Sequence, residues 1–130
     1  MRCRPACAGR RVDLDRALAL VVHAQVRAAI PMMSYADTEA WVRYRLGEHQ
    51  ASRRLMALTV HGAHEREARS PEGQVEMLYH YASTLDAVGD EGYAWWVWRD
   101  CARRDPLSPY GQLCKERFEA LGDHRRDGAR

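Results

Sequence analysis

LYHYASTLDAVGDEGYAWWVWRDCARRDP, residues Leu78 to Pro106, decides the fold. Leu78, Tyr81, Ala82, Leu85 and Val88 recur at the spacing of one helical face, and Val75 extends it upstream. Gly89 then supplies the left-handed geometry that commonly ends a helix, and Asp90 caps the next one a single residue later. The second helix carries Ala94, Val97, Trp98 and Cys101 on its apolar face and stops at Asp105-Pro106. So short a connection forces the two helices antiparallel and adjacent, with Ala82 facing Ala94 at a close crossing.

Outward from this pair, helical signals run almost everywhere and no alternating strand appears. Upstream, Ser70 as N-cap, Pro71 at the first helical position and Glu72 in the first turn start the Leu78 helix. Ser108-Pro109 repeats that start for a final helix with Tyr110, Leu113, Cys114, Phe118 and Leu121 on one face before Gly122. Near the N-terminus, Asp13 can cap a helix with Leu14, Leu18, Val21, Val22 and Ala28 on its apolar side, ending before Pro31. Ser34 or Asp37 can begin another, with Trp41 and Tyr44 on one face before Gly47 weakens the run. A further stretch places Leu55, Leu58, Thr59, Gly62 and Ala63 together, and whether it forms one bent helix or a hairpin with its predecessor stays open.

The expected fold is therefore all-α: antiparallel helical hairpins in a repeat-like stack or a small bundle of about five or six helices. Residues 1–12, with Arg2, Arg4, Arg10 and Arg11 and no periodicity, are expected as a disordered basic arm, 13–122 as a single helical domain, and 123–130 as a disordered tail.

Residues 75–108 resemble a tetratricopeptide repeat. Leu78, Ala82, Ala94, Trp98, Cys101 and Pro106 fall in order at its positions for a large apolar residue, two small residues, an aromatic, a further small residue and the closing proline. Leu46-Gly47 and Pro71 fit a degenerate preceding repeat, and Pro109 to Leu121 looks like a capping helix. The resemblance implies a right-handed stack whose first helices line a concave surface that binds other proteins. In this chain the outward positions of the first helix are Glu76, Tyr79, His80, Ser83 and Asp86, a mildly acidic face with Tyr79 as a rigid contact. The plainer reading of those positions is a solvated helix face. Members that clamp a terminal carboxylate use Lys and Asn where this chain has Tyr79 and Ser83, so that ligand is disfavoured.

Composition narrows the remaining classes. The 130 residues suit one domain, with 46% apolar and 29% charged residues, as in ordinary globular proteins. Twenty basic and 18 acidic residues nearly cancel, which leaves no large uniform field for nucleic acid or a membrane. All the basic residues but Lys115 are Arg, a bias that a GC-rich bacterial genome explains. Ala17 to Ile30 is interrupted by His23, Gln25 and Arg27, so no membrane anchor is expected, and the cytoplasm is the default compartment, with secretion or the periplasm as the alternative.

Cys3 and Cys7 lack a second ligand pair at zinc spacing, and Cys101 and Cys114, on consecutive helices, are expected as buried free thiols rather than a bridge. Trp95, Trp96 and Trp98 cannot all face one way, since 96 lies about 100° from 95 around a helix. Trp95 or Trp96 is a candidate contact for a second subunit or partner, against packing on neighbouring helices. His49, His61, His64 and His80 could seed a metal site, although the position after His64-Glu65 that would complete the protease pattern is Ala68.

No phosphate loop, nucleophile elbow or paired-cysteine redox motif is present, so neither catalytic residues nor a cofactor are expected. The expected function is a protein–protein adaptor or assembly factor that binds a partner's segment without turnover. A nucleic-acid-associated protein using Arg53-Arg54, Arg103-Arg104 and Arg125-Arg126 is one alternative, and a metal-binding protein using the histidines is another.

Overall fold

A computed structural model of the chain describes residues 5–28, 33–66 and 71–128, and side-chain surroundings within 11–28, 35–60 and 73–122. Among the described residues there are six helices and no strand: α1 (Pro5–Arg27), α2 (Met33–Arg45), α3 (His49–Arg66), α4 (Pro71–Ala87), α5 (Glu91–Arg104) and α6 (Pro109–Gly128). Among the described residues each helix packs on the next, α1 has no other neighbour than α2, and the alternate helices α2, α4 and α6 also pack side by side. This order is compatible with a helical repeat.

The two inner hairpins close by the same backbone device. Gly89 sits at φ +84° and Gly47 at φ +86°. After α4 the Asp90 N–H reaches the Leu85 carbonyl and the Gly89 N–H reaches that of Asp86. After α2 the Glu48 N–H reaches Arg43 and the Gly47 N–H reaches Tyr44 in the same pattern. These are paired C-terminal caps that satisfy orphan carbonyls and turn the chain at once. Gly47 thus ends α2 and makes α2–α3 a hairpin, which settles the alternative between hairpin and bent helix. Asp90 caps α5 as expected, accepting from the Tyr93 N–H at 3.4 Å, and its carboxylate also takes Arg53 Nη2 of α3 at 3.1 Å. Ser108 starts α6, its Oγ accepting from the Gly111 N–H at 3.0 Å.

The core lies on α4. Val75, Met77, Leu78, Tyr81, Ala82 and Leu85 are buried, and α5 meets them with Ala94, Val97, Trp98 and Cys101. Ala82 and Ala94 are both wholly buried in this packed pair, consistent with the close crossing expected for small residues. Buried hydroxyls are paid for by nearby carbonyls: Ser52 Oγ donates to Ala40 at 2.6 Å and Thr84 Oγ1 to His80 at 2.6 Å.

Several expected boundaries and faces move. Helix α1 begins at Pro5, so Asp13 is internal rather than a cap and residues 5–12 are helical; α6 likewise runs past Asp123 to Gly128. Helix α2 starts at Met33, ahead of both Ser34 and Asp37, while Ser70 lies outside the described residues. On α3, among the residues whose side chains are described, Ser52, Met56 and Thr59 are buried and Leu58 is exposed. Val22 and Leu113 are exposed as well. Cys101 and Cys114, expected as free thiols, form a disulfide with their Cα atoms 5.9 Å apart, tying α5 to α6.

Candidate functional site

The side-by-side packing of α2, α4 and α6 brings one face of each helix together, and α4 supplies the middle. Of the five outward positions expected on α4, Glu76, Ser83 and Asp86 are partly exposed. His80 is not outward: it is buried at 5% exposure because α2 lays Trp41 over it, with ring centroids 4.0 Å apart and planes 17° from parallel. Tyr79 is half-buried and packs against Trp98 at 5.6 Å and Tyr110 of α6 at 5.2 Å, with the Trp41 ring 6.0 Å away. Ser83 Oγ donates to the Tyr79 carbonyl at 2.8 Å, a bond within α4 itself.

The result is a continuous row of rings. His49 of α3 leans on Tyr44, Tyr44 stacks on Trp41 at 4.6 Å, Trp41 covers His80, and Tyr79 carries the row on to Tyr110. Carboxylates border it. Asp37 Oδ1 lies 3.5 Å from His80 Nδ1, and Glu76 Oε1 lies 3.9 Å from His80 Nε2 and 3.4 Å from the Tyr110 hydroxyl, which donates to it. Burial, and then the Glu76 charge, push the Tyr110 hydroxyl pKa up, since both disfavour a phenolate there.

An opening lies at each end of the row. A cleft of about 610 Å³ sits by the start of α4, between Glu76 and the α5–α6 turn with Asp105, Leu107, Pro109 and Tyr110. A smaller one of about 480 Å³ lies by the end of α4, between Val88 and the α2–α3 turn with Glu48 and His49. Helices α2 and α6, Trp41, Asp37 and Tyr110 were absent from the sequence-based site. One available signal was the placement of Trp41 and Tyr44 on one face of α2, which the sequence assigned without a neighbour.

The tryptophans of α5 divide as their angular spacing requires. Trp98 faces inward, Trp95 packs on Phe118 of α6 with ring centroids 5.1 Å apart, and Trp96 is 54% exposed. The Arg99 guanidinium lies over both Trp95 and Trp96, 5.7 and 5.2 Å from their centroids. His49 and His80 are each engaged by an aromatic ring, and the side chains of His61 and His64 lie outside those described. Among the described residues no three His, Cys, Asp or Glu side chains converge as metal ligands, and no helix is long and apolar enough to cross a membrane. No family model, curated protein sequence or solved structure matches the chain.

Proposed function

We propose that this protein is a binding module of tetratricopeptide-like construction that holds a segment of another protein along the α2–α4–α6 face, as an adaptor or assembly factor, without turning it over. The observation that carries this reading is the row of rings that starts at His49 of α3, crosses the alternate helices α2, α4 and α6 to Tyr110, and has a cleft at each end. Glu76, Ser83 and Asp86 supply polar contacts along its floor, while Tyr79 and His80 act as its wall instead of reaching outward. Aromatic groups bordered by satisfied polar groups are the usual composition of a recognition surface. The order of neighbours, with alternate helices α2, α4 and α6 in contact, supports the repeat-like reading.

The Cys101–Cys114 bridge favours an oxidising compartment over the cytoplasm expected from sequence. Trp96, the most exposed tryptophan of α5, is the candidate contact for self-association, which sedimentation velocity of Trp96→Ala against the native protein would reveal. The binding reading is tested by co-purification in the native host with Ser83→Arg, which fills the floor of the face, beside Glu116→Arg on the exposed side of α6. A defined partner lost with the first and kept with the second is the expected result. Equal retention by both, with native helicity, places binding elsewhere.

A further inference from the structure

The cleft beside Glu76 has a composition that selects among partners. Two carboxylates line it, Glu76 of α4 and Asp105 of the α5–α6 turn, and among the described residues no cationic side chain does. The Asp105 carboxylate makes no hydrogen bond or ion pair among the described residues. The Glu76 side chain keeps 45% of its surface exposed. Tyr110, Pro109 and Leu107 share the lining, the last 89% exposed.

We infer that this cleft receives an arginine or lysine side chain from the partner's segment, its aliphatic stem along Leu107 and Pro109 and its charged head between Glu76 and Asp105. The inference rests on the α2–α4–α6 face being a binding surface and adds the chemistry of what it binds. A long cationic side chain is the group that uses both halves of such a wall: its methylenes cover apolar surface while its head stays at the carboxylates. A guanidinium also stacks on an aromatic face such as that of Tyr110. An acidic segment, a terminal carboxylate or a nucleic-acid phosphate would meet two like charges instead.

The test is selection from a random dodecapeptide library displayed on phage against the immobilised full-length protein, followed by fluorescence titration of synthetic copies of the recovered peptides. Recovered peptides should carry Arg or Lys. Replacing that residue by Gln should weaken binding about tenfold or more, the scale of one charge-assisted hydrogen bond. Glu76→Gln and Asp105→Asn, which keep shape and hydrogen bonding, should cause a similar loss, and Glu116→Gln none. Affinity should also fall as salt rises. Peptides that lose binding to Ser83→Arg but lack a required cation would overturn this inference and leave the face intact. Failure to recover any peptide sensitive to Ser83→Arg would overturn the face, and this inference with it.

Discussion

Three tryptophans within four positions of α5 occupy three surroundings, and their substitution should separate accordingly. Trp98 is 2% exposed, and its Nε1 has no acceptor among the described residues, so shape rather than hydrogen bonding seats it. Trp98→Ala should destabilise the fold by about 3–5 kcal/mol in urea melts. Trp96→Ala, on the exposed face, should change stability by no more than about 0.5 kcal/mol. Tyr81 gives a pH signature. Burial foremost, then the neighbouring Tyr93 hydroxyl, raise its pKa far above the ordinary tyrosine value. Below about pH 10 both folded and unfolded chains keep that proton and its stabilising contribution is complete. Above it the unfolded chain ionises first, so stability falls with rising pH. Chemical denaturation across the alkaline range should show this decline, and Tyr81→Phe should make it shallower.

At the scale of elements, the α4–α5 hairpin was legible almost to the residue, because apolar periodicity, Gly89 and the Asp90 cap all point one way. The α2–α3 hairpin carries the same cap at Gly47, but its flanks, Arg43, Arg45, Glu48 and His49, are charged or polar and hide the helix ends from a hydrophobic reading. On α3 the misplacement has a specific cause. Ser52 and Thr59 look like surface residues, yet both bury their hydroxyls by donating to the Ala40 and Leu55 carbonyls, and Leu58 is left outside. A proline in the first turn does not stop a helix, which is why α1 can begin at Pro5 inside an Arg-rich stretch. The site was half legible: Glu76, Ser83 and Asp86 retain exposed surface, but only the arrival of α2 shows that His80 lies under Trp41. The bridge between α5 and α6 closes a loop with a sequence separation of 13. Its reduction should cost about 3 kcal/mol by removing that constraint from the unfolded chain, seen as a lower melting temperature with dithiothreitol and no such shift in a Cys101→Ala/Cys114→Ala protein.

For the whole molecule, protection should follow how each helix is enclosed. Helix α4 packs against α2, α3, α5 and α6, whereas α1 rests on α2 alone among the described helices. Hydrogen exchange followed by mass spectrometry should therefore find the slowest amides in α4, opening only with global unfolding, and the fastest helical amides in α1. The aromatic row is anchored on that most enclosed helix, each ring braced by the next before anything arrives. A segment laid along it would find its contacts already ordered, so the entropy lost on association would be chiefly that of the incoming chain.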